Sequence, residues 1–176
     1  TTLGSMVSFA VSGLMTSMYY QIDTAMLPML STAYDAGIYG ALYRFVDLIQ
    51  VLPRVILVAG FPALVLLWKQ DSRRFGETFV QLRRFLSFLG LPALLLMIVF
   101  SGRILALAFG EEYRVGAQAL VVLLVAMLFA FHSMLLVQVL KASEHEAGLA
   151  RVLVITVLFN ISLNILLIPA HGFAGA

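Results

Sequence analysis

Four charged side chains occur inside long apolar stretches of this 176-residue chain: Asp23, Arg44, Asp47 and Arg54. An ionised group in hydrocarbon costs about 2.5 to 3.5 kcal/mol on insertion scales, so each one needs a partner or a water-filled cavity. The planar guanidinium of arginine suits phosphate and carboxylate oxygens. An aspartate in such a place neutralises a cation or marks an ion pathway. These four residues are therefore the first candidates for function.

The spacing of three of these residues places them on one face of a helix. Arg44, Asp47 and Arg54 follow one another at intervals of three and seven residues, which an α-helix brings to the same side. Arg44 and Asp47 can pair along the helix, whereas Arg54 has no anion within its own turn.

Asp23 is the expected partner of Arg54. It lies about 10 Å inward from Leu30, at the end of its stretch, and Arg54 lies at a comparable depth on the next, antiparallel stretch. We predict that the two meet. Tyr19, Tyr20 and Gln21 adjoin Asp23 and give this wall a polar, aromatic lining. Two interpretations stay open: an ion pair that fixes helix register, or a cavity that faces a substrate or an ion.

Several other kinds of chemistry are disfavoured. The chain has no cysteine, and His132, His145 and His171 lack metal-ligand spacing, so neither a metal site nor a cofactor is expected. No Ser-His-Asp arrangement and no phosphate-cradling glycine loop occurs, which disfavours an enzyme. The eleven Lys and Arg residues are spread over several segments and form no basic face for nucleic acid.

The elements that position these residues are membrane helices. Hydrophobic residues make up 62% of the chain and charged residues 11%, whereas soluble domains have about a quarter charged residues. A spanning helix needs about 20 mostly apolar residues. Five stretches meet this length approximately: 3–30, 38–68, 85–101, 116–140 and 149–168. The sequence therefore predicts an all-α, polytopic membrane helix bundle with about five transmembrane helices.

The cations in the connections predict an orientation. The second and fourth connections contain seven cations: Lys69, Arg73, Arg74, Arg83, Arg84, Lys141 and Arg151. The third connection contains two, Arg103 and Arg114, and the first contains none. Because positive residues remain on the cytoplasmic side, the second and fourth connections are expected to be cytoplasmic.

Some segments carry weaker signals. Residues 71–84 place Phe75, Phe79 and Leu82 at helical spacing among arginines, which is typical of an amphipathic connection on an anionic leaflet or of a solvated loop. Asn160 and Asn164, one turn apart, are expected to form interhelical hydrogen bonds. The chain begins without Met or a charged leader and stops just after a loop, so we expect it to be part of a longer protein.

An ordered series of short motifs resembles a known family. The motifs are YQIDTAML at 20–27, GIYGA at 37–41, Tyr43-Arg44, Leu52-Pro53, GFP at 60–62, ILALAFGEEY at 104–113, Asn160 to Asn164, Ile168-Pro169, Gly172 and Gly175-Ala176. Together they resemble the polysaccharide biosynthesis flippases, which move lipid-linked O-antigen units and are related to multidrug exporters.

The resemblance implies a two-lobe membrane transporter, multi-pass in a bacterial or archaeal cell membrane. This chain would be part of the C-terminal lobe, and an N-terminal lobe would complete the protein. The implied substrate is an undecaprenyl-pyrophosphate-linked oligosaccharide. Arg54 and Arg44 would contact its pyrophosphate, with Asp47, Tyr19, Tyr20 and Gln21 in the same cavity, and Asp23 would pair with Arg54 or couple an ion.

Two alternatives remain open at this point. A cation-coupled drug exporter of the same superfamily would use Asp23 to bind its coupling ion. A non-transporting membrane subunit would use the charged residues only to assemble helices.

Overall fold

The protein is helical throughout the part of the chain that its structure describes. The computed structural model describes residues 2–176, and it describes side chains at residue 7 and from residue 10 onward. The elements in this range are α1 (Thr2–Leu30), α2 (Ala33–Gln70), α3 (Ser72–Phe109), α4 (Ala117–Ala142) and α5 (Glu146–His171), with 3₁₀ turns at Glu111–Gly116 and Gly172–Gly175. The predicted all-α fold with about five long helices is confirmed.

Within the described residues, four helical segments are long and apolar enough to cross a membrane: Ala33–Gln70, Ser72–Phe109, Glu111–Ala142 and Glu146–Gly175. Helices suit this environment because every backbone N–H and C=O group in hydrocarbon must be satisfied within the segment. Helix α1, of 29 residues, is not among these four of the described part of the chain, and its crossing of the membrane stays a prediction. The chain is a multi-pass membrane protein.

Helix α3 is longer than the sequence suggests. The predicted connection at 71–84, the predicted helix at 85–101 and the residues that follow up to Phe109 form one helix of 38 residues, which is about 57 Å long. The Asp71 carboxylate caps its start by accepting a hydrogen bond from the Arg74 backbone N–H at 3.0 Å. Gly110, with φ of 113°, ends it, as glycine tolerates this conformation without strain.

The apolar residues near the start of α3 face the protein. Phe75 packs with Leu64 and Ala142 in a buried cluster, and its ring meets Trp68 edge-on at 5.1 Å. Phe79 and Leu82 pack against a second cluster formed by Leu57, Leu86 and Leu135. Helices α2 and α4 therefore cover the apolar side of this segment. Its position at an anionic leaflet stays a prediction.

The first connection is a tight turn held by short polar side chains. Thr32 accepts a hydrogen bond from the Asp35 backbone N–H at 3.1 Å, and its hydroxyl donates to the Asp35 carboxylate at 2.8 Å. The Ser31 hydroxyl donates to the same carboxylate. The Thr32 side chain therefore caps the start of α2, because it satisfies one of the free backbone N–H groups there.

The chain divides into two compact units. Unit 1 comprises the residues up to 41 together with 145–176, and in it α1 packs along α5. Its buried side chains include Leu27, Tyr39, Val157 and Ile168. Unit 2 comprises residues 42–144, and in it α3 packs along α4. The charged face of α2 belongs to unit 2, and Asp23 belongs to unit 1.

Candidate functional site

The charged face of α2 is exposed in unit 2. Arg44, Asp47 and Arg54 all present solvent-accessible side chains, whereas Leu42, Val46 and Leu57 on the other side of the helix are buried. This division follows the helical repeat and agrees with the predicted common face. Helix α2 is apolar enough to lie in a membrane, yet these three charged residues face away from the core of unit 2.

Arg54 is held by a neighbour on its own helix. Its Nη2 donates a hydrogen bond to Gln50 Oε1 at 3.3 Å, and the Gln50 side chain is buried, with 3% of its surface exposed. A buried amide oxygen needs a donor, so this contact satisfies Gln50 and restrains the guanidinium. The remaining N–H donors of Arg54 stay available on the exposed side, where they could bind a phosphate or carboxylate.

Arg44 stacks on an aromatic ring. Its guanidinium carbon lies 5.9 Å from the centre of the Phe109 ring. Phe109 in turn meets the Phe45 ring edge to face at 5.6 Å and the Tyr113 ring in a tilted arrangement at 5.4 Å. Among the described residues Arg44 and Asp47 form no ion pair, although their spacing permits one. The cation–π contact gives the guanidinium an alternative partner and leaves the Asp47 carboxylate exposed.

Asp23 accepts hydrogen bonds from neutral groups in unit 1. Asn164 Nδ2 donates to Asp23 Oδ1 at 2.6 Å, and the Tyr39 hydroxyl donates to Oδ2 at 3.5 Å. Asn164 Nδ2 also lies 3.2 Å from Asn160 Oδ1. Helices α1, α2 and α5 thereby join in one polar cluster, the Asp23 cluster, made of Asp23, Tyr39, Asn160 and Asn164.

The Asp23 cluster offers the chemistry of a small cation or a proton site. A carboxylate and two amide groups supply hard oxygen ligands. The Asn160 oxygen already faces the cluster, and a 180° rotation of the Asn164 amide would turn its oxygen toward a bound cation. The hydrogen-bonding partners of Asp23 described here carry no charge of their own, so they orient the carboxylate without neutralising it.

The other residues expected near Asp23 are accessible in unit 1. The rings of Tyr19 and Tyr20 meet edge to face at 5.1 Å, and both residues are half-buried, while Gln21 is exposed. The expected pair between Asp23 and Arg54 joins two separate units and stays a prediction. The assignment of Tyr19, Tyr20 and Gln21 to a substrate cavity also stays a prediction.

Two side chains that hydrogen-bond the charged residues are not identified from the sequence: Tyr39 beside Asp23 and Gln50 beside Arg54. Tyr39 and Gln50 are buried, and each supports a charged group. A signal for Gln50 exists, since it precedes Arg54 by four residues and so lies one turn away. Tyr39 gives no comparable signal, because its contact depends on the turn between α1 and α2.

Two polar contacts join helices, and the first confirms the expectation for Asn164. Asn164 forms the interhelical bond to Asp23, and His132 of α4 lies 3.1 Å from the Ser87 hydroxyl of α3 through its Nε2. His132 Nδ1 is 2.7 Å from the Leu128 carbonyl oxygen, so Nδ1 carries the hydrogen that it donates there. Such polar contacts between membrane helices fix their register.

Comparison with known proteins adds a family match. A family model described as "Polysaccharide biosynthesis protein" matches residues 2–118, which include α1, α2 and α3. No solved structure matches the chain significantly.

Two curated relatives are both from Haloferax volcanii. A probable low-salt glycan biosynthesis flippase, Agl15, is 24% identical over 160 residues. A probable flippase, AglR, is 32% identical over 163 residues. Each alignment covers 90% of this chain but 34% of the relative, so the chain spans about a third of the length of these proteins.

Proposed function

The chain belongs to the polysaccharide biosynthesis protein family, and on this premise we propose that it is part of a membrane flippase for lipid-linked oligosaccharides. The observation that carries the proposal is the exposed charged face of α2. Arg44, Asp47 and Arg54 project from a helix long and apolar enough to span a membrane. Charged groups at such depth are tolerated where they line a protein interior or a water-filled cavity.

The proposed substrate is an undecaprenyl-pyrophosphate-linked oligosaccharide, which serves O-antigen or another surface polysaccharide in a bacterial or archaeal cell membrane. Its pyrophosphate would meet Arg54, whose free N–H donors form a fork that matches phosphate oxygens. Arg44 would bind beside it, held by the Phe109 ring. The names of both relatives as flippases support transport rather than catalysis.

The roles of the other predicted residues follow from where they lie. Asp47, between the two arginines on the charged face, would limit the net positive charge of the cavity. Tyr19, Tyr20 and Gln21 would contact the sugar, because half-buried aromatic rings and an exposed amide group suit its ring faces and hydroxyls. An N-terminal lobe of the same protein would supply the opposite wall.

The Asp23 cluster is proposed as the place where transport is coupled to an ion. The net charge of a site with one carboxylate among neutral groups changes when the carboxylate binds a proton or a cation. Helices α1, α2 and α5 meet at this carboxylate, so its occupation would alter their mutual hydrogen bonds. In one state of the transport cycle, the Asp23 carboxylate would form its predicted ion pair with Arg54.

The test uses the full-length protein in liposomes with a fluorescent lipid-linked oligosaccharide. Arg54→Ala removes a charge-assisted contact of about 1.5 to 3 kcal/mol, so flipping at low substrate concentration should fall about tenfold or more. Arg73→Ala is the matched control, because Arg73 is exposed and paired with Glu77. Unchanged flipping by Arg54→Ala at normal protein abundance would contradict the proposal.

Ion coupling has its own measurement in the same liposomes. Asp23→Asn keeps the shape of the side chain but removes its charge, so an imposed proton or sodium gradient should no longer accelerate flipping. Glu77→Gln, which neutralises an exposed acid on α3, should retain the acceleration. A full response to the gradient in Asp23→Asn would remove Asp23 from the coupling step.

A further inference from the structure

Two neighbouring arginines on α3, Arg83 and Arg84, differ from the other cations near the start of that helix. Three of those cations face carboxylates: Lys69 with Glu144 at 3.3 Å, Arg73 with Glu77 at 3.0 Å and Arg74 with Asp71 at 3.4 Å. Within the part of the chain that is described, neither Arg83 nor Arg84 forms an ion pair, and both are exposed. These two side chains are therefore available to an anion from outside the chain.

Both arginines line an open groove between α3 and α4, here called the α3–α4 groove, with a volume of about 550 Å³. Further along the groove lie Phe88 and Leu91, with 81% and 44% of their surfaces exposed. By helix rise they are about 6 and 10 Å beyond Arg84. The groove thus has a cationic end and an apolar end, as an amphiphilic ligand would require.

Ser87 and His132 also line the groove but are occupied with each other. The Ser87 hydroxyl lies 3.1 Å from His132 Nε2 and 3.0 Å from the Arg83 carbonyl oxygen. His132 Nδ1 is bound to the Leu128 carbonyl oxygen. These two side chains join α3 to α4, which leaves the arginines as the groups that can bind an anionic ligand.

The groove also lies at a suitable depth for a lipid. The predicted hydrocarbon span of α3 begins at about residue 85, directly after Arg84, and the cation count predicts that this end is cytoplasmic. Anionic phospholipids give that leaflet its negative surface potential. Phe88 and Leu91 would then lie beside the acyl chains, and the arginines at the level of the phosphates.

We propose that the α3–α4 groove binds an anionic phospholipid of the cytoplasmic leaflet, with its phosphate between Arg83 and Arg84 and an acyl chain along Phe88 and Leu91. The groove lining contains no residue of the charged face of α2. The proposed lipid is therefore a bound membrane component rather than the transported molecule, and the inference does not depend on which substrate is flipped.

The first experiment locates the lipid on the unaltered protein. Full-length protein in nanodiscs is irradiated with a photoactivatable phosphatidylglycerol that carries its reactive group near the headgroup, and labelled peptides are identified by mass spectrometry. We expect labelling within residues 83–92 of α3, reduced by unlabelled phosphatidylglycerol but not by phosphatidylcholine. Labelling confined to other segments overturns the proposal.

The second experiment measures affinity with matched variants. Each arginine near the membrane surface raises the affinity for an anionic lipid about fivefold. Arg83→Gln with Arg84→Gln should therefore weaken phosphatidylglycerol binding about 25-fold in native mass spectrometry. The control, Arg73→Gln with Arg74→Gln, removes the same charge from paired residues and should change binding less than threefold. Equal losses in both double variants overturn the proposal, because they indicate a general charge effect.

Competition separates the sources of phosphate. Inorganic phosphate at millimolar concentration should leave the labelling unchanged, since it lacks the apolar chain. Displacement by inorganic phosphate would show a free-anion site instead. A polyprenyl diphosphate could also displace the photoactivatable phosphatidylglycerol at concentrations where unlabelled phosphatidylglycerol has no effect. That result would assign the groove to the transported lipid. Either displacement overturns the proposal.

Discussion

At the residue scale, Asp23 shows how a charge in an apolar helix depends on its neighbours. Its carboxylate is held by the Asn164 amide at 2.6 Å and by the Tyr39 hydroxyl at 3.5 Å. Asn164 is buried, with 3% of its surface exposed, so the bond lies in a region of low dielectric where an unsatisfied group is costly. The bond between Asp23 and Asn164 thus fixes α1 against α5 and orients the carboxylate.

Loss of this bond should destabilise the protein. Asn164→Ala is expected to lower the free energy of unfolding by about 1 to 3 kcal/mol, because it leaves a charged acceptor without its closest donor. Thermal unfolding of the full-length protein in detergent measures the loss. Ser162→Ala is the control, since Ser162 is exposed and its hydroxyl donates to the Leu158 carbonyl of its own helix.

A double exchange distinguishes this bond from simple packing. Asp23→Asn with Asn164→Asp restores one amide and one carboxylate in reversed positions, so it should recover part of the lost stability. Additive losses from the two single changes would mean that the two residues do not interact energetically.

At the element scale, the sequence predicts helices better than it predicts where they end. Apolar length identifies α2, α4 and α5, because a run of about 20 apolar residues is a strong signal for a spanning helix. The same signal fails for α3, where Arg83 and Arg84 interrupt the apolar run although the helix continues through them. Backbone hydrogen bonds do not depend on side-chain polarity, so a helix can extend beyond its apolar part.

The candidate site was predictable to the extent that it depends on helical spacing. The common face of Arg44, Asp47 and Arg54 follows from their intervals. The stacking of Arg44 on Phe109 does not, because it joins residues far apart in the chain. The same holds for the contact of Asp23 with Asn164, which are 141 residues apart. Tertiary partners of this kind require the packing of helices to be known.

The contact between α3 and α4 has a test at Gly90. A Cβ atom at Gly90 would lie 2.8 Å from the ring of Phe131, which is itself buried. Gly90→Ala should therefore cost about 1 to 3 kcal/mol through overpacking, as measured by thermal unfolding. Gly76→Ala, on the same helix and with open space around its Cβ position, should be neutral or slightly stabilising.

Phe131→Leu should recover much of the stability that Gly90→Ala loses, because it removes the ring that the new methyl group meets. If the double variant recovers no stability, the loss in Gly90→Ala does not come from contact with the Phe131 ring. A neutral Gly90→Ala would mean that the helices separate slightly without loss.

At the scale of the whole molecule, the direction of the helices decides what the charged groups can meet. The α3–α4 groove reaches the cytoplasmic leaflet only if the second connection lies on that side, as seven cations against two predict. The depth of Asp23 is counted from Leu30 and is the same in either direction. Orientation is therefore a premise of the lipid site in particular.

Single cysteines can test this orientation, since the chain has none of its own. Glu77→Cys, in the exposed start of α3, should react with a membrane-impermeant maleimide only after the cells are permeabilised. Val115→Cys, exposed in the turn before α4, should react in intact cells. Any cysteines elsewhere in the full-length protein are first replaced by serine. The reverse pattern would place Arg83 and Arg84 at the outer leaflet, where the positive-inside argument for an anionic phospholipid no longer applies.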